Sequence, residues 1–268
     1  MGDFQRRAKE TVRRMLPLGV RPHRIRLGAL KGARIYTSWH DYPGAILGTT
    51  ERPLLEWFRN NTGLGETWID VGAHYGYTAL ALSRLVGSSG RVFAFEPVLS
   101  TVGCIGRTRE LNGLEQMTVV PMGLNSCPNV ETLELPTIRG MADSTIERRE
   151  WSERILAVSL DSLWPSLSGD DPEIHGIKID VQGMEFDVLC GMRDVLRQWS
   201  PKIVVEFHHG VNRVQVLQVL KDCGYETHRH PIDASAPPDV FADDMSYVFQ
   251  TASSSCASSS TASSTARS

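Results

Sequence analysis

The residues whose types and spacing carry the most chemistry are Asp70, Gly72, Ala73, His74, Gly76 and Tyr77, which follow directly on the apolar run Thr67-Trp68-Ile69. A buried strand that ends in an acid, turns on glycines and enters a helix has the layout of a nucleotide-type cofactor site. A second apolar strand, Arg91-Val92-Phe93-Ala94-Phe95, ends in Glu96-Pro97. It lies about twenty residues on, the spacing that sets a ribose-binding carboxylate beside the first turn.

The glycine pattern selects among cofactors. A dinucleotide fingerprint needs closely spaced glycines so that the backbone can approach a pyrophosphate at a helix N-terminus. Here His74 stands where close approach wants no side chain, and Asp70 would repel a phosphate. S-adenosylmethionine (SAM) has no phosphate: its ammonium can meet Asp70, and its carboxylate can meet the first amides of the following helix. These electrostatics favour SAM over NAD. Glu96 would accept the vicinal ribose hydroxyls or cap the helix that starts at Pro97. Gly72 and Gly76 either admit the cofactor or simply allow the turn. His74 is a cofactor contact, a base or a loop-fixing hydrogen bonder. Tyr75 and Tyr77 can face a sulfonium or pack on the core. Asn125 and Ser126, just past the third strand, would meet an adenine edge or serve as turn residues.

A second acid-turn follows the same grammar in Ile177-Lys178-Ile179-Asp180-Val181-Gln182-Gly183-Met184-Glu185. Asp180 falls at the carboxyl end of its strand, the edge where open α/β sheets bind ligands, so it can touch both cofactor and acceptor. Transfer of a methyl to a hydroxyl also needs a proton acceptor, and Asp180, Glu185 and His208 are the catalytic candidates. Lys178 shares a strand face with Asp180 and can pair with it. His208 and His209 face opposite ways if their strand continues, so they cannot both serve one site. Asp180, Glu206 and His208 could converge on a metal, but separated ligands without local spacing do not define one, and no metal is expected.

With both acid-turns in hand, the chain resembles the FkbM family of SAM-dependent methyltransferases. The family's Asp-Val-Gly-Ala-Asn-x-Gly, Phe-Glu-Pro and Lys-x-Asp-x-Glu-Gly-x-Glu segments have counterparts at Asp70–Gly76, Phe95–Pro97 and Lys178–Glu185. The likeness runs from about Asp41 to about His209. It implies O-methylation of a hydroxyl on a small natural product or sugar, with no nucleic-acid partner. Two departures stand out: His74 replaces an Asn, and Gln182 replaces a Glu, which removes a charge from the active edge. Rival readings are an NAD-dependent oxidoreductase, for which no Tyr-Lys or His dyad is found, and a non-catalytic SAM-binding module.

The elements that must position these residues alternate. Strands are expected at 67–71, 91–95, 117–121, 175–181 and 203–207, with helices at 76–86, 98–112, 184–197 and 211–222. Alternation of this kind implies a mostly parallel, doubly wound α/β sheet, the Rossmann-like class I methyltransferase fold. About seven strands are expected, the last, Met245–Phe249, antiparallel. A hairpin over Ile25–Tyr36 and a helix over Glu51–Arg59 precede the sheet. An insertion of about fifty residues between the third and fourth main strands, with short strands near Val130–Leu135 and Ile155–Leu160, is expected to wall the substrate side. Within it, Arg148, Arg149, Trp151 and Arg154 can contact a substrate or form a solvated charge run.

Composition sets the outer bounds. The 268 residues, 41% hydrophobic, divide into a basic helix-and-hairpin extension (1–50), a methyltransferase domain (51–250) and a Ser/Ala/Thr-rich tail (251–268) that cannot bury a core. The first 34 residues carry ten Lys or Arg against two acids, leaving the remainder strongly acidic. Phe4, Ala8, Val12, Met15 and Leu16 recur at helical spacing among those charges. Such a helix can cover the acidic domain, touch a membrane surface weakly or act as a targeting peptide. With no apolar run of about eighteen residues and no secretory signal, a soluble, cytoplasmic protein is expected. Five cysteines without a C-x-x-C pair argue against a disulfide framework or a zinc site. Oligomeric state is not legible.

Overall fold

The computed structural model describes residues 15–138, 141–142, 152–170 and 173–252. In chain order the strands are β1 Arg21–Arg24, β2 Arg34–Thr37, β3 Thr67–Val71, β4 Arg91–Phe95, β5 Met117–Val120, β6 Gly123–Leu124, β7 Glu131–Ile138, β8 Met141–Ala142, β9 Ser152–Val158, β10 Gly176–Ile179, β11 Lys202–Phe207 and β12 Met245–Phe249. The helices are α1 Pro43–Leu47, α2 Arg52–Asn61, α3 Tyr77–Val86, α4 Leu99–Asn112, α5 Leu160–Ser168, α6 Glu185–Cys190, α7 Arg193–Trp199 and α8 Arg213–Asp222.

The main sheet runs β12-β11-β10-β3-β4-β5, parallel throughout except for β12, which pairs antiparallel with β11. Strand alternation sends Ile69, Val71, Phe93, Phe95, Ile177, Ile179, Ile203 and Val205 into one apolar layer against α5 to α8. Trp68, Val92, Ala94 and Val204 point to the other face, against α2, α3 and α4. Asp70 and Lys178 are register partners on that second face, with Asp180 and Glu206 two residues beyond Lys178 and Val204. The pleat therefore collects the ionisable strand-tip residues on one side of the sheet.

The sheet has six strands among the described residues, where about seven are expected. Between α8 and β12 the chain makes only isolated bridges, Tyr225 to Thr251 and Pro231 to Tyr247. Pro231, Pro237 and Pro238 lie in that segment, and a proline cannot donate to a strand ladder. The helix expected over 184–197 is two helices, α6 and α7. Gly191, at the break, packs so tightly on the Asn125 carbonyl that a Cβ there would lie 1.8 Å from the oxygen. Asp161 then accepts hydrogen bonds from Asp194 N and Val195 N, starting α7 afresh. The hairpin lies earlier than expected, its first strand being Arg21–Arg24, and it docks on α4 through Asn112, which bonds both Arg34 N and Arg34 O.

The insertion builds its own sheet, ordered β6-β9-β7-β8. Leu135 and Ile155 pack on Val98, just past the tip of β4, so this sheet stands beside the ligand edge. Helix α5, which the sequence reading passes over, starts at Ser159, whose hydroxyl accepts from Ser162 N, and carries Pro165 inside it. Arg154 is exposed on β9. Arg148, Arg149, Trp151, residues 1–14 of the basic N-terminal extension and all but two residues of the Ser-rich tail fall outside the described residues. No described helix is long and apolar enough to cross a membrane.

The β3–β10 contact depends on one small residue: a Cβ on Gly176 would lie 2.4 Å from the Trp68 ring beside it. Gly176→Ala should therefore destabilise the protein by about 1–3 kcal/mol, the range for overpacking a filled core. Gly103→Ala, inside α4 with nothing within 4 Å of its Cβ, should leave stability unchanged or raise it by up to about 1 kcal/mol. Urea midpoints of the two variants measure the contrast.

Candidate active site

At the centre of the carboxyl edge lies Lys178, 4% exposed at its side chain. Its Nζ is 3.2 Å from Asp70 Oδ1, 3.3 Å from Asp180 Oδ2 and donates to the Gly72 carbonyl at 3.1 Å. Burial alone would push an ammonium toward neutrality, but Asp180, Asp70, Glu206 and Glu51 hold Lys178 above its ordinary pKa. Asp180 is held below the usual carboxylate range: burial opposes this, but Lys178 and then His208 outweigh it. Asp70 is fully buried, and its Oδ2 accepts from the Thr78 hydroxyl at 2.6 Å.

The β3–α3 turn is folded onto this ion cluster. Gly72 has φ 79°, and a Cβ on it would stand 1.8 Å from the Asp180 carbonyl oxygen, so glycine is required by the packing of the two acid-turns on each other. Gly72 N and Ala73 N both donate to Phe95 O, and His74 N donates to Glu96 Oε2 at 2.9 Å. Gly76, at φ 80°, is the N-cap of α3, whose first main-chain bond runs from Leu80 N to Gly76 O. Tyr75 and Tyr77 are buried in a ring cluster with Tyr42 and His74. The core alternative thus describes their surroundings.

Glu96 is 6% exposed at the tip of β4, next to that turn. Its Oε1 accepts from Val98 N at 3.0 Å and its Oε2 from His74 N, which leaves each oxygen a further lone pair. Burial raises its pKa to about 7, against the lowering effect of the two backbone donors. Pro97 separates it from Val98, the N-cap of α4, so the carboxylate both braces that helix start and remains an acceptor. Asn125 is occupied differently. Its Oδ1 accepts from Cys127 N and its Nδ2 donates to Glu131, an Asx-type turn, and Ser126 beside it is exposed.

On the other flank of Lys178, β11 ends and His208 turns inward, 4% exposed. Its Nδ1 donates to Glu185 Oε1 at 2.9 Å, and its Nε2 is 2.8 Å from the Gln182 amide nitrogen, 3.4 Å from Asp180 and 3.6 Å from Glu206. Burial works against a charged imidazole, but Glu185, Asp180 and Glu206 together hold His208 above its ordinary pKa. Glu185 is fully buried and also accepts from Gly183 N. Glu206 is raised to about 7 by burial, with Asp180 and Glu51 adding to it. His209 faces out toward Asp243, so the two histidines do part company.

The edge therefore brings together Asp70, Asp180, Glu185, Glu206 and His208 around Lys178, with Glu96 and the β3–α3 turn on the adjoining side. The sequence reading missed Thr78, Tyr42 and Glu51. Thr78, eight residues after Asp70, had a readable cue as a hydroxyl in the first turn of the helix. Glu51 had none: it caps α2 in a left-handed conformation, φ 53°, and its burial, with Asp180 nearby and against the pull of Lys178, raises its pKa.

Removing Lys178 leaves two carboxylates facing each other in the buried edge. Lys178→Met should lower stability by about 3–5 kcal/mol, the usual result of breaking a buried pair from one side. Pairing it with Asp70→Asn should recover part of the loss. Chemical denaturation measures both, and additive losses in the double variant would show that the residues are not coupled.

Residues 70–227 match the methyltransferase FkbM domain family. The hexuronic acid methyltransferase AglP of Haloferax volcanii is 31% identical over 160 residues, 59% of this chain, and the chain spans 62% of the length of that curated relative. Among solved structures, methyltransferase FkbM from Methylobacillus flagellatus KT is similar at 19% identity and a TM-score of 0.47, covering 78% of this chain and 53% of its own. An rRNA methylase from Streptococcus thermophilus is similar at 11% identity and a TM-score of 0.46, covering 75% and 98%. The family match spans more than half of the chain and contains both acid-turns and the strand tip that bears Glu96: the protein belongs to the FkbM methyltransferase family.

Proposed function

We propose that this protein is a SAM-dependent methyltransferase that acts on a hydroxyl of a sugar or a similarly hydroxylated small molecule. The carrying observation is the division of one sheet edge by Lys178. On the β3–β4 side a buried carboxylate, Glu96, keeps lone pairs for two hydroxyls. On the β10–β11 side an imidazole is oriented by a buried acid. Membership of the family supports methyl transfer, and the hexuronic acid named for the Haloferax volcanii relative favours a carbohydrate acceptor.

In this reading SAM, when bound, supplies an electrophilic methyl on a cationic sulfur. Glu96 accepts the ribose hydroxyls, while His74 N and Val98 N hold its carboxylate in place. The turn over Gly72, Ala73, His74 and Gly76 shapes the adjoining wall, and Asp70 fixes that wall through Thr78 and Lys178. Asp180 bounds both halves. The acceptor hydroxyl approaches from the β10–β11 side, and its proton passes into the cluster of Asp180, Glu206 and His208, with Glu185 holding the imidazole. Alignment of acceptor and methyl supplies much of the rate. A dinucleotide gains no support, because the amides of Gly72 and Ala73 are both turned onto Phe95 O.

Calorimetry should give SAM binding and no NAD binding, with Glu96→Ala weakening SAM by about 1.5–3 kcal/mol. Glu96 at a pKa of about 7 adds a signature in pH. Its raised pKa favours the protonated apo protein, so its ionisation costs stability as pH rises from about 4.5 through 7. Ribose binding draws on the ionised form. SAM affinity should therefore be highest above about pH 7 and fall below it, with proton release on binding, and both effects should vanish in Glu96→Gln. Unaltered affinity in Glu96→Ala would remove the ribose assignment. An assay for S-adenosylhomocysteine across hydroxylated metabolites, sugar acids first, identifies the acceptor.

A further inference from the structure

Asp180 is far in sequence from Glu206 and His208, which lie at the end of β11, but the fold gathers one donor atom from each to within 4.8 Å of the others. His208 Nε2 is 3.4 Å from Asp180 Oδ1 and 3.6 Å from Glu206 Oε1. Donors about 2.1 Å from a shared ion stand about 3.0–3.4 Å apart in octahedral or tetrahedral arrangements, so a small inward movement closes the set.

The second atom of each group is already fixed by a neighbour. Asp180 Oδ2 lies against Lys178 Nζ, Glu206 Oε2 accepts from the Ser246 hydroxyl at 3.1 Å, and His208 Nδ1 is held by Glu185. A carboxylate on the far nitrogen is the common support of a metal-bound imidazole, because it places the hydrogen on Nδ1 and leaves the Nε2 lone pair for the ion. Glu185 serves here from full burial, and its Oε2 has no hydrogen-bond partner among the described residues. Gln182 completes the surroundings. Its backbone is left-handed, φ 54°, and its side-chain amide lies 2.8 Å from His208 Nε2 and 3.4 Å from Asp180 Oδ1, so that a half-turn of the amide presents an oxygen. Lys178 makes its close ion pairs with Asp70 and Asp180, not with Glu206.

We propose that Asp180, Glu206 and His208 bind a divalent cation, with Gln182 as an adjacent donor and the remaining positions open to the acceptor. Two carboxylates and one imidazole suit a divalent transition metal, and the carboxylate majority favours Mn2+. The cation's part in the reaction rests on the methyl-transfer reading: it would hold the acceptor hydroxyl and make it more acidic, and with His208 Nε2 on the ion the released proton would pass to a carboxylate oxygen of Asp180 or Glu206 instead of to the imidazole. Its binding does not rest on that reading.

The test is titration of Mn2+ into chelator-treated, full-length protein without SAM, followed by electron paramagnetic resonance of free Mn2+ and by calorimetry. One site per chain is expected. Glu206→Gln and His208→Ala should each weaken it at least tenfold, and Glu185→Gln, which among the three proposed ligands touches only the imidazole, by about 10–100-fold. Circular dichroism and thermal melts confirm that each variant is folded, and Glu115→Gln, on the far side of α4, should bind as the wild type does. Absence of a stoichiometric site, or an affinity unmoved by Glu206→Gln and His208→Ala, overturns the proposal. Methyl transfer that runs at full rate in chelator overturns the cation's part in the reaction. SAM binding without Mn2+ binding rejects the cation alone, whereas Mn2+ binding without SAM binding supports the cation and rejects the methyl-transfer reading.

Discussion

The site is organised around a single buried ammonium. Lys178 joins the tip of β3, through Asp70 and the Gly72 carbonyl, to the tip of β10, through Asp180. Two carboxylates could not stay ionised side by side in this setting without it, and an ammonium could not stay charged there without them. The arrangement also fixes geometry. Gly72 lies in van der Waals contact with the Asp180 backbone, so the two acid-turns form one unit, and every other group is placed to one side of it or the other. Glu96 and the aromatic cluster stand toward β4, and His208, Glu185 and Glu206 toward β11.

Much of this was legible in the chain because it rests on local pattern. Strands β3, β4 and β12 occur with the boundaries that alternation and flanking turns imply, and the face that Lys178 shares with Asp180 follows from the pleat. What was illegible depends on contacts distant in sequence. The break between α6 and α7 is set by Gly191 against Asn125, and the glycine itself does not say which carbonyl it will meet. About seven strands are expected without a place for the seventh, and the segment after α8, with its prolines and only isolated bridges to β12 and Thr251, stays outside the ladder. Glu51 and Tyr42 join the site from elements that precede the first motif, and nothing in their own neighbourhoods marks them. The convergence of Asp180, Glu206 and His208 was conceivable from residue type, but spacing did not fix it; the strand order brings their donor atoms together.

The two departures from the family pattern share a physical feature. His74 and Gln182 each hold a left-handed backbone conformation, φ 51° and 54°, at matching places in the two acid-turns. Asn adopts that region more readily than His, so the family's usual residue at the first place suits the backbone as well as any ligand. Strain of this sort persists where the surroundings determine it, and here they do: His74 N is tied to Glu96, and the Gln182 amide to Asp180 and His208. The replacement of a Glu by Gln182 removes one negative charge from an edge that already holds several, and puts a donor and an acceptor where relatives place an acceptor alone.

A crystal structure with S-adenosylhomocysteine tests most directly the claim that one ion-paired lysine divides a cofactor half from an acceptor half. The expected result has both ribose hydroxyls on the Glu96 carboxylate, the amino-acid end beside the β3–α3 turn, and the sulfur facing Asp180 and His208 across Lys178. A ligand whose ribose rests on the β10–β11 side, or a Lys178 withdrawn from Asp70 and Asp180 in the complex, would contradict the account.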